Sequence, residues 1–457
     1  MEVFFSMKSA IVLAAGKGTR MKSTLCKVMH PVANKPMIGH IVSALKAADV
    51  NHIVVVVGHG AEDVKEYLKD EVQYATQMPQ LGTGHAVMQA SALEGLDGDT
   101  IVLNGDGPCI QKETILKAFD ANKDHALTVI SANLAHGGSY GRIVRDESSH
   151  VKKIVEAKDC TKEEYALTEI NTGLYVFKNK QLFEGLKEIK NDNAQKEYYL
   201  TDLVEIFNRK GWSTNAMIVD EPDETMGVND RCDLAKAETW MRNHINEQHM
   251  KNGVHLIDPS NTYIDADVEI ESDTTIYPNV VIQGNSKIGA HCEILSNSFL
   301  RNAVIGDDVI IDSSKIVESQ VDAHSTVGPM SHLRNQTHVH ENCRIGNFVE
   351  FKNTDFGNGS KCAHLTYLGD STFGKNINVG CGVVTVNYDG KNKFRTTVKD
   401  GAFIGSNCNL VAPVTIGENA LLAAGSTITN SVDDGDMGIA RARQSVIQGY
   451  GTKYKNK

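Results

Sequence analysis

The run Leu13-Ala14-Ala15-Gly16-Lys17-Gly18-Thr19-Arg20-Met21 follows an apolar stretch and gathers two glycines, a lysine and an arginine in one turn. Glycine lets backbone N–H groups approach an anion closely, and the two cations neutralise its charge, so this composition suits phosphate. GxxxxGK[ST] is absent, so this is not a Walker loop, and the plainer reading is a tight strand-to-helix turn. A second glycine-rich turn, Gln80-Leu81-Gly82-Thr83-Gly84-His85-Ala86, precedes a helical run. Leu103-Asn104-Gly105-Asp106 ends a strand with a carboxylate, where open α/β sheets place ligand and metal. By residue type Asp106 is either a Mg²⁺ ligand or a loop cap. Far along the chain, Lys361-Cys362-Ala363-His364-Leu365-Thr366-Tyr367-Leu368-Gly369-Asp370 carries a histidine that is either solvated or a general base near neutral pH. Cys381 has no partner base beside it and reads as a small residue. His332, His338 and His340 lie close together, yet no matching ligand set adjoins them, and they read as surface residues.

The elements that must hold these residues fall into two halves. In residues 1–229, apolar runs at 10–15 and 53–57 alternate with amphipathic stretches at 38–48 and 61–68, which predicts a parallel, helix-covered α/β sheet of Rossmann-like type. Leu234, Ala237, Met241 and Ile245 recur at helical spacing and predict a linker helix over 230–252. In residues 253–457 aliphatic side chains recur every six positions: Ile270, Ile276, Ile282, Ile288, Ile294, Leu300; then Val321, Val327, Leu333, Val339, Ile345; then Val398, Ile404, Leu410, Ile416, Leu422, Ile428. A period of six fits neither helix nor simple strand, but it fits a parallel β-helix of three-faced coils, about ten of them. Arg334 and Lys352 are 18 residues apart, one coil, and should stack on one face. The beat breaks at 361–372 and 385–397, and both breaks predict projecting loops.

Composition narrows the function classes. At 457 residues the chain has length for two or three domains, and its net charge of -11 gives no bulk attraction for nucleic acid or anionic lipid. Nine scattered cysteines without a CxxC pair argue against a disulfide framework and a thiolate zinc site. No apolar run nears the roughly 20 residues of a membrane span, and the opening carries Glu2 rather than a basic leader. A soluble, cytoplasmic protein without membrane insertion is expected. Residues 454–457 read as a frayed terminus.

Together these segments resemble the sugar-1-phosphate nucleotidyltransferases. With the hexapeptide half, the chain from Ser9 to about Val446 resembles the bacterial bifunctional N-acetylglucosamine-1-phosphate uridylyltransferases/glucosamine-1-phosphate acetyltransferases. The motifs that carry it include Tyr140-Gly141-Arg142-Ile143, Ile154-Val155-Glu156, Glu169-Ile170-Asn171-Thr172-Gly173 and Gly227-Val228-Asn229. The resemblance implies a left-handed β-helix, a homotrimer, and four small-molecule substrates: UTP, glucosamine-1-phosphate, N-acetylglucosamine-1-phosphate and acetyl-CoA. It implies UTP and sugar contacts at Leu13, Ala14, Ala15, Gly16, Lys27, Gln77, Gly82, Thr83, Asn104, Gly105, Asp106, Gly141, Glu156, Asn171 and Asn229. Mg²⁺ would sit on Asp106 and Asn229, and Arg20 and Lys27 would act in catalysis. In the second half it implies His364 as the base, glucosamine-1-phosphate at Arg334, Lys352, Tyr367 and Asn378, and acetyl-CoA at Cys381, Asn387, Tyr388, Ser406, Ala424 and Arg441. Cys26 stands where the family usually has Pro, Asn104 where Tyr is common, and Gly107 where Thr or Val is common. The alternative is a single-activity nucleotidyltransferase whose β-helix serves assembly; the intact set His364, Tyr367, Asn387, Tyr388 and Arg441 favours two activities.

Overall fold

A computed structural model describes residues 7–147, 150–193 and 195–455, and the side chain of Tyr454 is not among what it describes. The expectations for Glu2 and for the last two residues lie outside the described residues. By its contacts the chain forms two compact units, Met1–Met241 and Arg242–Lys457. The division falls inside the helix Arg231–Lys251, whereas the sequence reading separates that helix as a segment of its own. Ala237 and Met241 are buried, and Ile245 packs on the core of the second unit. Among the described residues no helix is long and apolar enough to cross a membrane.

In the first unit one sheet runs Thr214–Ile218, Leu127–Asn133, Glu169–Lys178, Asp99–Asn104, Lys8–Ala14, His52–Val57, Gln73–Thr76. Side chains alternate across it: Ala10, Val12 and Ala14 enter one core with the helix Met37–Ala47, while Ile11, Val54 and Val56 enter the other with Leu203 and Phe207. The sheet is mixed rather than parallel throughout, because Glu169–Lys178 runs antiparallel to both neighbours. The chain reaches that strand through the antiparallel pair Arg142–Arg145 and Val151–Val155 and not through the long crossover helix a parallel return requires. Lys8–Ala14 and Asp99–Asn104 pair in parallel with Leu13 beside Asn104, so the turns after both strands emerge side by side. The following strand in sequence, His52–Val57, lies on the other side of Lys8–Ala14, which makes this the point where strand order reverses and a crevice opens.

The second unit is the left-handed parallel β-helix. Its strands of two or three residues pair with those one coil on, as in Ile264 with Ile282 and Ile282 with Leu300. Ile276, Ile294, Leu300, Leu333 and Leu422 are fully buried along one axial core. Corners are made by residues in the left-handed region, such as Asn279 (φ 62), Asn297 (φ 64) and Asn342 (φ 58), which Asn tolerates better than most side chains. Between the first two aliphatic trains the beat continues through Ile305, Ile311 and Ile316, all buried. Their spacing falls to five at several corners, which hides them from a strict six-residue period.

One expected loop is absent. Residues 361–372 do not project: Lys361–Phe373 is a continuous coil paired with Arg344–Phe356. Cys362, Leu368 and Phe373 hold the inward places, so a thiol and an aromatic ring stand where the pattern shows aliphatics. The second break is a true insertion, since Ser371 pairs with Thr396 while Lys352 pairs with Gly369, and the bridge Tyr388 to Lys393 closes the extra residues into a hairpin-like loop.

We expect Ile294→Ala to cost about 2–5 kcal/mol through the cavity it leaves. Lys287→Ala, which breaks only the exposed pair with Glu269, should cost under about 1 kcal/mol. Urea unfolding of the β-helix transition measures both.

Candidate active sites

In the first unit Gly18 takes φ 58 at the end of the turn after Lys8–Ala14, and a Cβ there would lie 2.5 Å from that of Lys27. Glycine therefore lets the arginine-bearing turn Thr19–Met21 fold against Lys27. The Lys27 ammonium lies 2.5 Å from Asp106 Oδ2 and donates to Asn229 Oδ1 at 3.1 Å, and Arg20 donates to the same amide oxygen at 2.7 Å. Asn229 is fixed at the start of the helix Arg231–Lys251, its N–H donating to Asp233 while Asp230 caps the N–H groups of Cys232 and Asp233. A carboxylate and an amide oxygen thus converge on one cation. Two hard oxygen donors with space beside them fit Mg²⁺, which takes oxygen and retains water.

A cleft of about 500 Å³ opens beside this group, and Leu13, Ala15, Gly16, Gln77, Gly82, Thr83, Asn104, Asp106, Glu156 and Asn171 of the expected set line it. Asn104, Asp106 and Asn229 also line an adjoining hollow of about 250 Å³. Open space faces Gly16, whereas Gly82, at φ 101, is pressed against the Tyr198 carbonyl. Ala14 turns its methyl into the core, Gly105 contributes its N–H to the Leu13 carbonyl, and Gly141 supports Asn171 through a backbone hydrogen bond. None of these three lines the cleft. Asn171 donates to the Tyr175 hydroxyl at 2.9 Å, and burial pushes the Glu156 carboxyl up despite Lys158 beside it. Gln80, part of the second glycine-rich turn but outside the expected contacts, also lines the cleft, as do Tyr175, Gln195, Glu197 and Tyr199, which the sequence reading misses. Gln80 is tied to the Ala15 carbonyl, but the others come from strands and loops with no glycine-rich or charged motif to mark them.

Cys26 is buried against Gly60, with its thiol donating to the His59 carbonyl at 3.5 Å. Its φ of -54 is one proline also adopts, so the departure leaves the backbone before Lys27 in place.

In the second unit Arg334 and Lys352 are register partners on adjacent coils. Arg334 is held by Glu350 at 2.6 Å, and Lys352 lies 3.1 Å from Asp370, which also accepts from Asn353 at 2.7 Å and from Asn387. Burial disfavours the Lys352 charge, but the hydrogen bond and charge of Asp370 hold its pKa above the ordinary value. Burial likewise opposes ionisation of Asp370, and the donors Asn353, Lys352 and Asn387 outweigh it and hold the carboxyl below the usual range. Lys393, from the inserted loop, completes the cation group. It shares a surface hollow with Lys352 and Asn353, and its pKa is lowered by the neighbouring Lys352. No spacing rule marks Lys393, because the insertion shifts it out of the coil register. The Tyr367 hydroxyl lies over Gly369, where a Cβ would strike it.

His364 is exposed at a coil corner. The registers Lys361 with Asn378, Asn378 with Phe403 and Phe403 with Leu421 place His364, Cys381, Ser406 and Ala424, each three residues later, in one column. Hydrogen bonds from Asn407 to the Cys381 carbonyl and from Gly425 to the Ser406 carbonyl tie that corner together, and the Arg441 side chain passes beside Gly425. Asn378 is exposed above Phe403 on the neighbouring face. Asn387 is buried at the root of the loop and Tyr388 is exposed on it.

Asp370→Asn removes a carboxylate whose folded pKa is lowered. Its stabilisation is full above the ordinary aspartate range, near 3.9, and disappears as pH falls below it. The variant should be less stable by about 1–3 kcal/mol at pH 7, and the gap should narrow toward pH 3 in calorimetric melts.

Comparison with known proteins matches residues 9–221 to the nucleotidyl transferase family and residues 267–302 and 395–430 to the bacterial transferase hexapeptide (six repeats). The chain is 51% identical over 444 residues to "Bifunctional protein GlmU" of Exiguobacterium sibiricum, covering 96% of this chain and 99% of the relative. It is 49% identical over 450 residues to the protein of that name from Clostridium novyi, covering 98% of each. A Listeria monocytogenes relative so named is 47% identical over 448 residues, covering 97% of this chain.

Proposed function

The chain belongs to the bifunctional GlmU family, and from that premise we propose how its residues divide a two-step synthesis of UDP-N-acetylglucosamine. The β-helix acetylates glucosamine-1-phosphate from acetyl-CoA, and the N-terminal unit transfers uridylyl from UTP to the product. The observation that carries this reading is the column His364, Cys381, Ser406, Ala424, an unbroken edge leading from a base toward Arg441.

For the acetyl transfer, Arg334, Lys352 and Lys393 bind the sugar phosphate, with Tyr367 and Asn378 on the sugar. His364 takes a proton from the amine, whose lone pair attacks the thioester carbonyl, and coenzyme A leaves as the thiol after receiving a proton. The coenzyme lies along the column, with Asn387 and Tyr388 beside it and Arg441 on its phosphates.

For the uridylyl transfer, the cleft holds UTP against Gly16 and the Gln77 to Thr83 turn, and Glu156 and Asn171 hold the sugar, with Gly141 positioning Asn171 through its carbonyl. The phosphate oxygen of N-acetylglucosamine-1-phosphate attacks the α-phosphorus in line and pyrophosphate departs, so no protein nucleophile is needed. Arg20 and Lys27 neutralise the charge that develops. Bound on Asp106 and Asn229, Mg²⁺ supplies further charge neutralisation and orients the phosphates.

We place the enzyme in the cytoplasm as a homotrimer. Supporting assembly, Met330, Phe348 and Leu365 stand 59%, 63% and 62% exposed on successive coils, each in the left-handed region that bulky residues avoid. Light scattering should return three times the 49.8 kDa chain mass, and a monomer would remove this part of the reading.

The main test supplies the purified protein with glucosamine-1-phosphate, acetyl-CoA, UTP and Mg²⁺ and follows products by mass spectrometry. UDP-N-acetylglucosamine and pyrophosphate should appear. His364→Ala should make UDP-N-acetylglucosamine only from added N-acetylglucosamine-1-phosphate, and Arg20→Ala should lower kcat of the uridylyl step at least about 100-fold. If free coenzyme A never forms while added N-acetylglucosamine-1-phosphate is uridylylated, the β-helix serves assembly and His364 is not a base.

A further inference from the structure

His338 opens the two-residue strand His338–Val339 and His340 follows it directly, so the two flank the inward Val339 and both rings project from the same outer face. In sequence they have no ligand partner. Coil stacking supplies one, because Gln320 pairs with His338 and the Asp322 N–H donates to the Val339 carbonyl. His338 Nε2 lies 2.8 Å from Asp322 Oδ2 and His340 Nδ1 lies 3.6 Å from the same oxygen, the two rings being 3.9 Å apart between centroids. The three ligand atoms fall within 4.8 Å of one another. From the coil on the other side, Asp355, the register partner of His338, faces the far nitrogen of His340 at 3.4 Å.

We propose that Asp322, His338 and His340 form a binding site for a borderline divalent transition ion of the Zn²⁺ class, separate from both active sites. Ligand chemistry selects the ion. Two imidazoles with one carboxylate favour Zn²⁺ and its neighbours over Mg²⁺ or Ca²⁺, which prefer oxygen alone. Tetrahedral Zn²⁺ with bonds near 2.0–2.1 Å separates its ligand atoms by about 3.3 Å, between the 2.8 and 3.6 Å found here. The two histidine–carboxylate separations need shifts of about half an ångström or less, the two imidazole nitrogens close to a like spacing from within 4.8 Å, and water completes the fourth position. The groups behind the ligands give independent support. His340 Nε2 toward Asp355 leaves Nδ1 facing the site with its lone pair, the carboxylate–histidine–metal arrangement. Gln320 Nε2 donates to Asp322 Oδ1 at 2.7 Å and leaves Oδ2 for the ion. Two of the three ligands are thus oriented by a neighbour on a rigid coil. Because the residues come from successive coils, the bound ion staples the β-helix across its repeat.

The test uses the full-length protein, stripped of metal by chelator and kept in excess Mg²⁺ so that the oxygen donors at Asp106 and Asn229 do not take the probe. Zn²⁺ titration by calorimetry should give one ion per chain and a rise in the melting temperature of the β-helix transition. His338→Gln and His340→Gln should weaken binding at least tenfold and abolish the rise, and Asp355→Asn should weaken it about 10- to 100-fold. Co²⁺ should give visible bands without thiolate charge transfer. Circular dichroism of the metal-free variants checks that each is folded. Absence of Zn²⁺ uptake by the folded wild type, uptake unchanged in both histidine variants, or a thiolate spectrum overturns the proposal and leaves a network of ion pairs only.

Discussion

The β-helix depends on one constraint, the in-register hydrogen bonding of each coil to the next around a filled axial core. Once Ile276, Ile294 and Ile311 must stack, the rotation and rise of every coil are set, and residues about 17 positions apart become neighbours on the outside. Chemistry on such a surface is organised in columns. The cation pair Arg334 and Lys352 is one, and the edge through His364, Cys381, Ser406 and Ala424 is another. The core supplies no chemistry itself, but it holds these outer columns to the tolerance of a β-ladder.

The first unit solves the same problem with another geometry. Parallel strands end together, so turns distant in sequence meet where the strand order reverses. Asp106 arrives at the end of one strand, Lys27 from the turn after its neighbour, and Asn229 from a helix start capped by Asp230. Because the carboxylate and the amide oxygen already share one cation, the group is organised around positive charge before substrate arrives. In a chain of net charge -11 such local cations are what make a phosphate site workable.

Irregularity in the coils places side chains on the surface as much as regularity does. The insertion after Val386 delivers Lys393 to the Lys352 hollow, and the bulky left-handed corners at Met330, Phe348 and Leu365 expose apolar side chains that a coil by itself cannot bury. Backbone strain of this kind persists only where the surrounding ladder over-determines it, and here the corner column lies beside His364.

Much of this was legible in residue order. The six-residue beat names the β-helix, the glycine-rich turn after an apolar strand has the composition that suits an anion, and the 18-residue step from Arg334 to Lys352 gives a stacked pair, because each follows from short periods and local backbone freedom. Three things were not legible. The inward places of Cys362 and Phe373 are hidden because packing needs volume and not an aliphatic label, so this coil reads as a loop in sequence. The antiparallel course of Glu169–Lys178 depends on how the chain is routed between strands, which no residue in the strand encodes. Asp322 meets His338 and His340 only through the register of neighbouring coils. The sequence by itself determined the six-residue repeat and the glycine-rich turn after an apolar strand, since these depend on local period and composition, and the remaining expected site residues came from the family resemblance. Only the tertiary structure decided which side chains share a cleft or a column, because strand pairing, and not distance along the chain, brings them together.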